Sequence, residues 1–131
     1  MKSFGLDTSI VLRLLVGAPE DQAKSALELV EDCYQKQVAV RVSDLVIQEA
    51  YHALCHHYQV PVSEAVECLR DFLASEMIDN TGQALSVLKE FSGKGPGFAD
   101  RLIRRDYLQD NVNAVFTFDK KFSQLTSVQK L

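Results

Sequence analysis

The stretch Ala114-Val115-Phe116-Thr117-Phe118-Asp119 is the strongest strand candidate in the chain, and it ends on a carboxylate. Before it, Phe98 to about Gln109 reads as a helix, set off by the loop Gly93-Lys94-Gly95-Pro96-Gly97, which cannot continue a helix. After it come a short helical turn from Asp119 and a final extended Ser127-Val128-Gln129. Further back the alternation repeats. Ser3 to Leu6 is a short strand followed by helical spacing at Ile10, Val11, Leu14 and Leu15, Glu20 to Gln35 is an amphipathic helix, and Val38-Ala39-Val40 is a compact strand. Ser43 is the N-cap of a helix through Tyr58, Pro61 opens another, Met77-Ile78 is a brief strand, and Thr81 to Ser92 is a helix. Strands alternating with helices predict an α/β fold with a mainly parallel sheet covered by helices on both faces.

At 131 residues the chain has the size of a single domain, 1–131, with one core. Its 47% hydrophobic and 24% charged residues argue against disorder. The longest run without Asp, Glu, Lys or Arg, Ala50 to Ser63, contains three histidines and a proline, so no membrane-spanning helix is expected. Asp7 interrupts the N-terminus before any apolar run of signal-peptide length, and the cytoplasm is the expected compartment. Cys33, Cys55 and Cys68 fit neither a disulfide framework nor paired zinc-binding thiols, and are expected to be reduced residues of the core or its boundary. Fourteen Lys and Arg against eighteen Asp and Glu give a formal charge of −4, so a polyanionic substrate would need a local basic patch or a bound cation.

The placement of the acids points to the cation. In an open parallel sheet, ligands bind at the carboxyl ends of the strands. Asp7 follows the first strand and Asp119 the strongest one, although each would serve equally as the N-cap of the next helix. Glu49 is expected on the inward stripe of its helix with Leu45, Val46, Ala50 and Ala53, where a carboxylate needs a salt bridge, a path to the boundary or a metal. Asp100 falls in the first turn of its helix, just beyond the glycine-rich loop. Charges at ~4 Å repel by ~4 kcal/mol at an effective dielectric near 20, so these acids gathered at one sheet edge would require a counter-ion. Their hard oxygen donors select Mg²⁺ or Mn²⁺.

Four pieces, in this order over nearly the whole chain, carry a family likeness: Phe4-Gly5-Leu6-Asp7-Thr8-Ser9, Ser43-Asp44-Leu45-Val46-Ile47-Gln48-Glu49, Gly97-Phe98-Ala99-Asp100-Arg101-Leu102-Ile103 and Val115-Phe116-Thr117-Phe118-Asp119-Lys120-Lys121-Phe122. Together they resemble PIN-domain nucleases, and within them the VapC-type ribonuclease toxins of prokaryotic toxin–antitoxin pairs. The resemblance implies a three-layer α/β/α sandwich and metal-dependent hydrolysis of RNA phosphodiester bonds. It makes Asp7, Glu49, Asp100 and Asp119 the metal-binding acids, with Thr117 or Thr8 as a supporting hydroxyl. It also implies a cognate antitoxin, with a segment across the catalytic groove. Arg104-Arg105-Asp106 departs from the small residues common at this point in the family.

Arg101, Arg104, Arg105, Lys94, Lys120 and Lys121 flank the expected edge, where they would contact RNA phosphates or simply form a solvated face. Val66, Leu69, Phe72 and Leu73 offer a stripe for homodimerisation, or for core packing. His52 and His56, four apart on the helix of Glu49, raise a zinc alternative that lacks an H-E-x-x-H motif. A receiver-like Mg²⁺-binding signalling module usually wants paired acids after the first strand, where this chain has Asp7 alone. A PIN-like nuclease acting on structured RNA or DNA is the nearer rival, and no aromatic stacking platform in the sequence separates the two.

Overall fold

Val11, Ile47, Ala50, Leu69, Val87 and Leu88 are wholly shielded from solvent, and they come from four separate helices. The core is therefore made mainly between helices, with Val40 as the strand residue buried among them. The structure is a computed structural model describing residues 2–131. Its elements run β1 (Ser3–Gly5), α1 (Thr8–Val16), α2 (Glu20–Gln35), β2 (Ala39–Arg41), α3 (Asp44–His56), α4 (Val62–Ala74), α5 (Ala84–Glu90), α6 (Phe98–Gln109), β3 (Val115–Thr117), a 3-10 turn (Phe122–Gln124) and β4 (Val128–Lys130).

Every strand pair is parallel, as the alternating pattern predicts. β1 lies against β2 with Phe4 opposite Val40, and Arg41 forms a further parallel bridge to Asp79. This bridge stands one residue beyond the expected Met77-Ile78 strand. Within the expected α/β arrangement of helices and parallel strands, the hydrogen-bonded strands fall into two pairs, β1 with β2 and β3 with β4. The reason lies in the packing of the second pair, which closes on its own small cluster of Val115, Phe122, Val128 and Leu125. All three residues of β1 are exposed, and Phe116 of β3 is 61% exposed.

The shortest α-helix is the best secured. α5 has no side-chain cap of its own, but the Asp44 carboxylate of α3 accepts hydrogen bonds from the backbone N–H groups of Gln83 (2.8 Å) and Ala84 (3.0 Å). At its other end Arg70 of α4 donates to the carbonyls of Leu88 (2.8 Å) and Phe91 (3.2 Å). Anion at the start and cation at the end is the arrangement that the helix dipole favours. α6 is then fastened to α5 by Arg105, which bonds Ser86 Oγ at 2.6 Å and pairs with Glu90. Arg104 in turn donates to Thr126 O (2.7 Å) and Thr126 Oγ1 (2.6 Å), tying the segment before β4 to α6.

One expected face is corrected and one open choice is decided. The buried stripe of α3 is Ile47, Ala50 and Leu54, so Leu45, 69% exposed, and Glu49 lie outside it. On α4, Val66, Leu69 and Leu73 are buried and Phe72 packs against the same core, which removes this stripe as a dimer surface.

A Cβ on Gly82 would run into the Asp44 carboxylate. Gly82→Ala and Asp44→Ala are both expected to destabilise the fold, the second by about 1–2 kcal/mol as two helix-start N–H groups lose their acceptor. Urea denaturation of the two variants against the parent chain measures this, and parent-like midpoints would contradict it.

Candidate functional site

Asp7 and Asp119 each begin a helical turn. Asp7 Oδ1 accepts from Ser9 N (3.0 Å), Ser9 Oγ (2.6 Å) and Ile10 N (3.3 Å), capping α1. These bonds, the Ser9 hydroxyl foremost, hold its carboxyl below the ordinary value of 3.8 despite a small opposing effect of burial. Asp119 Oδ1 accepts from Lys121 N (2.8 Å) and Phe122 N (3.3 Å), while its own N–H donates to Thr117 Oγ1 at 3.0 Å. The capping alternative is thus real for both, and in both it occupies Oδ1. Oδ2 makes none of these bonds, so capping and coordination are compatible on one carboxylate.

Thr8 and Thr117, the two hydroxyls expected near the acids, each share a hydrogen bond with one of them. Thr8 Oγ1 donates to Glu49 Oε1 at 3.3 Å, linking the turn after β1 to the exposed face of α3. Glu49 is exposed, so what holds it is this hydroxyl and not a buried partner. Thr117 fixes the backbone of the turn that carries Asp119.

Asp100 is half-buried in the first turn of α6. Burial first, then the charge on Asp119, push its carboxyl above the ordinary 3.8, while Lys121 acts the other way. The four acids therefore fall into two pairs, Asp7 with Glu49 through Thr8, and Asp100 with Asp119 through their mutual repulsion. Among the described residues, no three His, Cys, Asp or Glu side chains are grouped closely enough to share one ion. The donor chemistry nonetheless fits Mg²⁺, which is usually held by one or two carboxylates and keeps several waters. A half-buried carboxyl raised by a second acid is a group that a cation would relieve.

The arginines expected to meet RNA are engaged inside the chain. Arg101 donates to Pro96 O (2.8 Å) and Lys94 O (3.3 Å) and lies 5.2 Å from the centre of the Phe91 ring, holding the glycine-rich loop. Arg104 and Arg105 bind Thr126, Ser86 and Glu90 as described above. Lys94, Lys120 and Lys121 are exposed and enter no salt bridge among the described residues. Sequence reasoning missed Asp44, because its partners lie about forty residues away and no local spacing announces them.

Parallel strand pairs thus carry Asp7 and Asp119 just past their carboxyl ends, with two more acids, Glu49 and Asp100, on α3 and α6. The model of the PIN domain family matches residues 5–127, and the chain belongs to that family. PIN domains are in general metal-dependent nucleases, hydrolases of phosphodiester bonds that use divalent ions such as Mg²⁺. No match was found among curated proteins.

Because its carboxyl is raised in the folded state, Asp100 weakens the fold as pH rises from 3.8 through the folded value, and the full penalty holds above it. In chelator, Asp100→Asn is therefore expected to melt above the parent chain at neutral pH, with the gap closing as pH falls toward 3.8. Thermal melts across pH check this; a variant that melts below the parent at neutral pH contradicts it.

Proposed function

We propose that this chain is a Mg²⁺- or Mn²⁺-dependent endoribonuclease, and that it is the toxin of a VapC-type toxin–antitoxin pair acting in the cytoplasm. The observation that carries the nuclease reading is the pair Asp100 and Asp119, a half-buried carboxyl raised by burial and then by its acidic neighbour, with Lys121 close by and in no salt bridge among the described residues. Asp7, Glu49, Asp100 and Asp119 would hold the ion. Such an ion, when bound, would supply a water of lowered pKa and would neutralise charge on the scissile phosphate.

The chain's own residues supply the rest. Asp7 and Asp119 are oriented by the backbone N–H groups they cap, so each presents its second oxygen without having to be ordered. Thr8 positions Glu49. Lys120 and Lys121, next to Asp119, and Lys94 on the glycine-rich loop provide phosphate contacts that an acidic chain otherwise lacks. An antitoxin segment and a second copy belong to the same reading. With the α4 stripe used in the core, Leu45, Ile103, Tyr107, Phe116 and Phe118 are among the exposed apolar side chains available to them. No helix among the described residues is long and apolar enough to cross a membrane.

Cleavage of mixed-sequence single-stranded RNA is expected with Mg²⁺ or Mn²⁺ and not with EDTA. Asp7→Asn keeps a capping oxygen, so it should fold normally. Its activity should nevertheless fall by more than ~100-fold, beyond the ~10–100-fold typical of losing an outer-shell partner, which is the loss expected for Thr8→Val. A fully active Asp7→Asn would sink the assignment, and cleavage of duplex DNA but not RNA would favour the rival substrate.

Binding of uncleaved RNA by the Asp7→Asn protein should weaken with salt, and Lys120→Ala with Lys121→Ala should reduce the slope by roughly 0.7 for each phosphate no longer neutralised. An unchanged slope would remove these lysines from the RNA face.

A further inference from the structure

His52 and His56 occupy successive turns of α3, both exposed, with ring centres 4.3 Å apart and ring planes inclined by 35°. Nothing in the carboxylate site uses them. Two histidines four residues apart on one helix face form a chelating pair for borderline-soft divalent ions, because each neutral imidazole offers one nitrogen lone pair. At zinc–nitrogen distances of about 2.0–2.1 Å, two nitrogens on a tetrahedral ion stand roughly 3.3 Å apart, a separation that rings this close reach by side-chain rotation. Glu49 lies one turn before His52 on the same exposed face, since Glu49, His52 and His56 fall at i, i+3 and i+7. Glu-x-x-His on one helix is a spacing from which both side chains ligate metals.

We infer that His52 and His56 form a binding site for a zinc-class transition-metal ion, whose two nitrogen donors lie outside the carboxylate site, and that Glu49, which belongs to that site, turns on zinc binding to complete it. The nitrogen donors set its preference. Imidazole suits Zn²⁺, Ni²⁺ and Cu²⁺, whereas Mg²⁺ prefers oxygen, so the histidine pair favours the softer ions and Glu49 alone is open to both classes.

The neighbouring groups do not compete. Cys55 is half-buried and turned toward Tyr51, whereas both histidines are exposed. The ring of His57, at the end of α3, stands edge-on to Tyr58 at 4.8 Å. Glu49 is the one residue shared, which makes zinc a competitor for a carboxylate that Thr8 holds by Oε1 alone.

The test is calorimetric titration of the full chain with Zn²⁺ in a large excess of Mg²⁺. One zinc ion per chain is expected. Affinity should drop at least ~tenfold in His52→Ala and in His56→Ala, fall less in Glu49→Gln, and persist in Cys55→Ser and His57→Ala. Both histidines are exposed, so circular dichroism should show all variants folded; His52→Gln and His56→Gln repeat the measurement with bulkier replacements. Zinc binding that Mg²⁺ displaces, that survives loss of either histidine, or that is absent from the parent chain overturns the inference.

Discussion

The carboxylate of Asp44 is the constraint on which the far half of the molecule hangs. A seven-residue helix such as α5 is too short to be stable alone, and without a cap of its own it depends on an acceptor from outside. Asp44 supplies it from α3, and Asn80 Nδ2 donates to the same side chain at 3.1 Å, so one carboxylate sets both the end of the preceding loop and the first turn of α5. From α5 the connection passes through Arg105 to α6, and through Arg104 to the segment that leads into β4. Asp100 and Asp119 are thus located, through a series of side-chain bonds, by a residue five positions from Glu49 in sequence. One helix, α3, presents its own acid directly and positions two others indirectly.

The site combines two ways of keeping a carboxylate where a cation can use it. Asp7 and Asp119 are oriented by backbone N–H groups, and at Asp7 these bonds, with that of the Ser9 hydroxyl foremost, stabilise the ionised form. Asp100 is instead partly withdrawn from water beside another acid, a placement that opposes ionisation. The first arrangement helps folding and the second works against it. A nuclease that needs a divalent ion gains from the mixture, because ion binding offsets a destabilisation that the bare protein carries. The arginines around the site serve the fold, and the cations left to meet a polyanion are lysines on flanking turns.

Much of this is legible in the sequence. Ser43 does cap α3, accepting from Val46 N at 3.3 Å, and the bounds of α2 and α6 follow directly from their apolar spacing and the glycine-rich loop. Asp7 and Asp119 stand just past strand ends because strand, acid and helix start are all local signals. The apolar spacing of α3 turns Glu49 inward only if Leu45 belongs to the core, whereas Ile47 and Leu54 mark the true stripe. The roles of Asp44, Arg70, Arg101, Arg104 and Arg105 are hidden for a common reason. Each bonds to backbone or side-chain atoms on another segment, and nothing in charge pattern or spacing distinguishes such a residue from a solvated one. The division of the sheet is hidden too, since alternation predicts parallel strands but not which edges meet.

The small cluster under β3 and β4 bears on how the protein yields to stress. Val115, Phe122, Val128 and Leu125 form a core of their own, apart from the large one that joins α1, α3, α4 and α5. So few buried side chains resist opening much less than the main core does, and the segment should exchange its amide hydrogens through sub-global openings while the helices stay protected. Asp119 rides on that segment. The carboxylate set can therefore come apart and re-form without the protein unfolding, so loss of function on warming should precede loss of helix.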